Sequence, residues 1–256
     1  MNLIIQGFQW IFDGAHWTTS ALQTGIGYAL AQHLLLTGIS LALTIVIAVP
    51  IGLYIGHTGK GRGAAIVLSN VARALPTLGV LALLVIPLTG VDFIHPGYLA
   101  DIIVFVILGI PPLLAGVYAG LESVDRATID AARAIGMTEL QILTKVEIPL
   151  GAQLIVGGLR ATTLQIIATV TIAALYTQVN LGTFIASGLA SNNYQELVAG
   201  AILIAALALI VDGILAIVQR FAVPRGVSRG TTERRNTARG RKISVASIGT
   251  PIKEGN

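Results

Sequence analysis

Five stretches of this chain, 34–56, 64–88, 101–121, 151–176 and 197–219, each run for about 20 residues or more with no more than one charged side chain apiece. In lipid every backbone N–H and C=O must be satisfied within the segment, so such runs fold as helices that cross about 30 Å of hydrocarbon. Composition agrees. The chain is 54% hydrophobic and 11% charged, with mean hydropathy +0.82, whereas soluble domains carry about 25% charged residues. The expected fold class is therefore all-α, a polytopic membrane protein with about five transmembrane helices. Cysteine is absent, which excludes a disulfide framework, a thiolate metal site and a thiol nucleophile. Four scattered His and no clustered carboxylates give no basis for a metal or a cofactor.

Residues 1–33 hold no Lys or Arg and carry Trp10, Trp17 and Tyr28, residue types that suit a membrane-interface belt. Without a basic stretch ahead of an apolar core, this segment is not expected to be a cleaved signal. It reads as an outer-face arm, partly helical, or as a terminus without fixed structure. The first span, 34–56, contains Pro50, expected to kink it, and Gly52 with Gly56, a small-xxx-small pair that signals helix contact. The turn 57–63, HTGKGRG, is not a phosphate-binding loop: Tyr54 stands where the first Gly is needed, and Gly61 where Ser or Thr is needed. The third span carries Pro111-Pro112; the carbonyls that adjacent prolines free are tolerated only against protein or water. An outer loop follows the fourth span, at 177–196. Residues 220–256 form a tail with nine Lys or Arg and no apolar periodicity. It reads as mostly disordered, either drawn to anionic headgroups or merely solubilising.

The sixteen basic residues are not spread evenly. None lies in 1–56, 74–125 or 161–219; all fall in 57–73, 126–160 and the tail. These are alternate connections and the membrane edges beside them. The positive-inside rule then places the N-terminus outside and the C-terminus and segment 122–149 in the cytoplasm of a cell-membrane protein. The same distribution explains the basic balance without nucleic acid.

Segment 122–149 is the longest polar stretch among the spans. Ser123 can cap a first helix and Gly136 can end it. Thr138 opens a second helix, with Gln141 completing a capping box, and Pro149 is expected to close the unit. Asp130 and Arg133 can pair at i,i+3. Asp130-Ala131-Ala132, three residues, Gly136, nine residues, then Val146-Glu147-Ile148-Pro149 resembles the E-A-A-x3-G-x9-I-x-L-P signature of ABC-importer permeases. Asp130 stands for Glu, Val146 for Ile and Ile148 for Leu. The resemblance implies a type I ABC-importer permease fold: a transmembrane permease domain at 34–219 with a cytoplasmic coupling helix. It implies that Asp130, Ala131, Ala132, Arg133, Gly136, Glu139 and Pro149 couple the chain to a separate ATPase. The implied partners are two cytoplasmic ATP-binding subunits, a second permease chain, identical or homologous, and an extracytoplasmic solute-binding protein. No bond chemistry, and so no enzyme activity, is implied for this subunit.

RALPTLG at 73–79 also resembles permeases for glycine betaine, carnitine, choline and related osmoprotectants. Val179-Asn180-Leu181-Gly182 departs from the Gly-Gly-Leu-Gly element of that family. D-methionine-type permeases share the coupling signature and are the nearest alternative within the class. The spans hold no acidic cluster for a cationic ligand, so selectivity is expected to rest with the binding protein. Arg73, Pro76 and Thr77 are the candidates for the cytoplasmic half of a translocation path; the other reading is a packing Arg bonded to a carbonyl at a kink. Asp212 and Arg160 are structural intramembrane charges. They either pair near the inner leaflet or each reach separately to water. An ion-coupled carrier would need intramembrane carboxylates and broken helices, and Asp212 is thin support for it. A membrane-embedded hydrolase lacks a catalytic constellation.

Overall fold

The computed structural model describes residues 2–18, 24–74, 76–88, 96–175 and 179–222, and all their regular structure is helical. The elements are α1 (Leu3–Phe12), a 3-10 turn (Gly14–Trp17), α2 (Ile26–Thr58), α3 (Arg62–Ala74), α4 (Thr77–Leu88), α5 (Pro96–Glu122), α6 (Arg126–Ala134), α7 (Glu139–Ile142), a π turn (Leu143–Glu147), α8 (Ile148–Ala173), α9 (Gly182–Ala190) and α10 (Tyr194–Ala222). Among the described residues, four helical stretches are long and apolar enough to cross a membrane: Ile26–Thr58, Gly97–Glu122, Glu139–Ala173 and Tyr194–Phe221. A fifth crossing requires α3 and α4 together. They are not one rod, since Arg62–Ala72 and Thr77–Leu84 meet at 85°. The break falls at Pro76, which has no N–H to continue the ladder. The first span is also longer than hydropathy indicates, with α2 beginning at Ile26, inside the segment read as the arm.

α5 is the hub, packing on α2 and α8 along its length and on α3 and α4 at its side. It runs on as one helix through Pro111 and Pro112, as α2 does through Pro50. Protein on two sides shields the carbonyls that the prolines free. Leu36, Phe105, Ile166 and Val170 fill the core toward one end; Ala48, Ile55, Leu113 and Val117 fill it toward the other.

Glycine sets the helix spacing. A Cβ on Gly52 would stand 2.7 Å from Val117 Cβ, and one on Gly56 2.8 Å from Leu121 Cβ. The constant offset makes α2 and α5 parallel, with the Val117 and Leu121 side chains set directly against the glycine backbone of α2. α5 and α8 run antiparallel and touch still more closely. A Cβ on Gly116 would stand 2.5 Å from Gly158 Cα, and one on Gly151 2.5 Å from Gly120 O. Small residues at such crossings are what lets helices pack in lipid. Gly158→Leu is expected to force α5 and α8 apart at a cost of about 1–3 kcal/mol or more, read as a lowered unfolding temperature of the detergent-solubilised chain. Gly213→Leu, with nothing within 4 Å of its Cβ position, is the control.

α10 lies outermost, held by α1, α8 and α9, and turns Leu209, Ile210, Ile214, Ile217 and Phe221 outward. Trp10 is not part of an interface belt. It is buried, stacked on the His16 ring at 3.9 Å and edge-on to Phe184 at 5.3 Å. Trp17 and Tyr28 do stay exposed. The tail beyond Ala222, and most of the loop 90–100, lie outside the described residues.

Candidate functional site

The polar segment folds as a capped hairpin on the bundle. Asp125, not Ser123, is the N-cap of α6, accepting from Ala127 N–H at 3.1 Å. Ser123 is still in reach of the last turn of α5 and donates to Gly120 O at 2.7 Å. Gly136 adopts φ +87°, the left-handed region that side chains disfavour. Its N–H donates to Arg133 O at 2.9 Å and Met137 N–H to Ala132 O at 3.1 Å. That pair of bonds is a Schellman close, which satisfies carbonyls at the end of α6. The capping box at Thr138 forms as expected: Thr138 N–H donates to Gln141 Oε1 at 2.9 Å, and Gln141 N–H to Thr138 Oγ1 at 3.4 Å.

Pro149 does not close the unit. The helix continues from Glu139 to Ala173. A proline inside a helix lacks a donor and collides with the carbonyl four residues back. Here the turn just ahead is widened instead: Leu143–Glu147 is a π turn, with Ile148 N–H donating to Leu143 O. The extra residue makes room for the ring, and the hairpin is rigidly continuous with α8.

Ile129 and Ala132 turn inward and pack with Val124 and Ile142. Asp130, Ala131, Arg133, Gly136 and Glu139 face outward, and Pro149 is half-buried. The two alanines of the signature therefore differ: Ala131 is at the surface and Ala132 fills the joint. Arg133 is clamped by Glu139, with Nε at 2.7 Å from Oε1 and Nη2 at 2.9 Å from Oε2, and lies 3.3 Å from Asp130. The Glu139 carboxylate raises the Arg133 guanidinium above its ordinary value, so Arg133 stays charged. At the tip Ile135 is 80% exposed and Leu140 70%. Sequence reasoning passed over both; the available signal was two apolar residues bracketing a helix-stopping glycine in a polar stretch.

Two further residues were not anticipated. His57, near the end of α2, places Nδ1 at 2.5 Å from Glu147 Oε2 and Nε2 at 3.3 Å from Glu139 Oε2. Glu147 is only 1% exposed. They are 90 residues apart in the chain, and no local pattern links them.

Deeper in the bundle, Arg160 of α8 meets Asp212 of α10. Nη2 lies 2.7 and 2.9 Å from the two carboxylate oxygens and Nε 3.0 Å from Oδ1. Gln219 joins them, accepting from Arg160 Nη1 at 2.7 Å and donating to Gln153 O at 2.9 Å. Of the three residues considered for the path, Pro76 marks the α3–α4 break and Thr77 opens α4; the side chain of Arg73 is outside the described residues. Asn180, where the family's element has Gly, is buried and accepts from Gly182 N–H at 2.7 Å, so it builds the turn into α9. A cleft of about 450 Å³ beside α3 is lined by Ile51, Ile55, Leu68, Pro111 and Leu114 among others. Its walls are apolar and offer no charge to a polar solute.

Residues 48–225 match the family described as the inner membrane component of binding-protein-dependent transport systems. The chain belongs to that family. It is a transport permease, a multi-pass membrane protein of the ABC-importer class. Among its relatives, the glycine betaine/carnitine/choline transport system permease protein OpuCB of Bacillus subtilis is 33% identical over 209 residues, covering 80% of this chain and 94% of that one. The choline transport system permease protein OpuBB of the same organism is 31% identical, covering 84% and 97%. The osmoprotectant import permease protein OsmW of Salmonella typhimurium is 31% identical, covering 77% and 91%. Among solved structures, the inward-facing MetNI methionine ABC transporter superposes with TM-score 0.68 at 19% identity, covering 78% of this permease and 96% of that chain. At that identity the likeness is one of fold, and it places the permease in the type I importer architecture.

Proposed function

We propose that this permease forms the translocation path of an ATP-driven importer for a small osmoprotectant such as glycine betaine, choline or carnitine. Support for the substrate class comes from the roles of relatives that align over most of their length. The methionine transporter resembles it only in fold, which does not favour a D-methionine-like cargo. The observation that carries the coupling role is the hairpin tip. Ile135 and Leu140 stand in solvent at the end of a segment locked by two caps and an ion clamp. An isolated chain gains nothing by exposing large apolar side chains on a rigid polar projection; a docking partner does. That partner is a cytoplasmic ATP-binding subunit, one per permease. Two permease chains and two ATPases make the working unit, with a solute-binding protein on the outer face. ATP binding draws the ATPases together, and the hairpins follow as levers because each is continuous with α8. The N-terminal segment ahead of α2 lies outside. The hairpin and the basic tail from residue 220 lie in the cytoplasm, in keeping with the distribution of Lys and Arg.

Asp212, on which an ion-coupled carrier would turn, is neutralised by Arg160. Uptake of labelled glycine betaine and choline should therefore follow ATP in a host without other importers for them. It should rise with medium osmolarity and persist under a protonophore that leaves ATP intact. Uptake that collapses with the proton gradient while ATP holds would refute the reading.

A further inference from the structure

His57 lies between two carboxylates, and its position joins parts of the molecule that backbone does not. A neutral imidazole has one N–H and one lone pair. Here each ring nitrogen faces a carboxylate oxygen, Nδ1 that of Glu147 and Nε2 that of Glu139. Donating to both takes an N–H on each nitrogen, which only the cationic form of the ring has. The contacts do not end there. Glu139 is gripped on its other side by Arg133, and Arg133 also reaches Asp130. Charges of alternating sign thus run from the outer face of α6 through α7 to the end of α2 and on to the base of α8. Other charged groups near this corner have their own roles. Glu122, closing α5, is engaged by Arg62 at 3.4 Å, and Lys60 is exposed on the α2–α3 turn.

Local structure fixes both ends of the bridge. α2 stops one residue beyond His57, at Thr58, because Gly59 takes φ +72° and its N–H returns to Ile55 O at 2.8 Å. Glu147 is the last residue of the π turn. Without the widened turn, its side chain would leave the helix at a different angle.

We propose that His57 is a positioning residue for transport: an obligatory cationic bridge that carries displacement of the docked hairpin into α2. This rests on the hairpin being the ATPase-docking element. α8 moves with the hairpin through continuous backbone, whereas α2 is separate in sequence and meets α8 through packing and, at this end, through the polar His57–Glu147 contact. α2 packs along α5, so the link brings the hub of the bundle into the movement. Two helices then shift together rather than one alone.

The test uses the full complex: permease, ATP-binding subunits and binding protein in phospholipid vesicles, with labelled glycine betaine and ATP hydrolysis measured together. His57→Ala is expected to co-purify with the ATPase and to hydrolyse ATP, yet to lower solute moved per ATP by about tenfold, within the usual range of coupling free energies. His57→Lys, which keeps a cation there, should restore a substantial part. Glu147→Gln, close in shape, should lower the ratio in a second way should the alanine variant fold poorly. An unchanged ratio in His57→Ala, or a lysine variant no better than alanine, would overturn the bridge. Failure of the wild-type chain to bind the ATPase would instead overturn the docking assignment and this inference with it.

Discussion

Ile135→Glu should abolish association with the ATP-binding subunit while leaving the permease folded in the membrane. Ile135 is 80% exposed, so little is lost within the chain. A large apolar side chain at the centre of a docking contact carries about 2–4 kcal/mol, and a carboxylate set in its pocket adds desolvation without a partner. Co-purification should fall by about tenfold or more at a loss of that size. Leu140→Glu should act in the same direction. Gly136→Pro tests the geometry rather than the surface. Proline fixes φ near −65° at a position that sits at +87°, and it removes the N–H donated to Arg133 O. The reversal after α6 cannot form, and binding should vanish with chain yield retained. Undiminished association in both Ile135→Glu and Gly136→Pro would remove the docking role of the tip.

The second large effect belongs to Arg160 and Asp212. Taking away Arg160 alone leaves a carboxylate beside a span with no counter-ion. Breaking one side of a buried pair costs about 3–5 kcal/mol. This pair is roughly a third exposed before lipid or a partner covers it, so the lower end of that range is the expectation. Arg160→Met should reduce membrane yield and lower the unfolding temperature. Arg160→Met with Asp212→Leu should recover most of the loss, because two apolar groups need no mutual neutralisation. If the double variant unfolds as readily as the single one, the pair does more than cancel charge.

What could be read from the chain beforehand follows the range of the interactions. Hydropathy pointed to the four long apolar helices because it is a local property, but it did not show the bend between α3 and α4 or the early start of α2. Thr138 with Gln141, and Gly136, were legible because caps are settled within four residues. For Arg160 and Asp212 the chain left two readings open, a pair or two separate reaches to water, and the fold selects the pair. The errors came where two local answers compete. Ser123 and Asp125 are both good caps, and the last turn of α5 claimed the serine. Pro149 has two remedies, ending the helix or widening it, and packing of α8 against α5 favours the second. Trp10 was read from residue type alone, although Phe184 and His16 bury it. His57 and Glu147 could not be found by any local rule, because only the folded bundle makes them neighbours.

The π turn at Leu143–Glu147 has a consequence for how such a chain can change over time. Each residue of an α-helix advances the rotation by about 100°. A π turn closes its bond over one residue more than an α turn, so Leu143–Glu147 takes up its extra residue in one wide loop and does not pass that rotation to the segment before it. Losing one residue there would restore regular winding with Ile135, Leu140 and the acidic clamp pointing much as before, while bringing back the crowding around the Pro149 ring. The wide turn is a place where chain length can change while the compass bearing of the hairpin is kept.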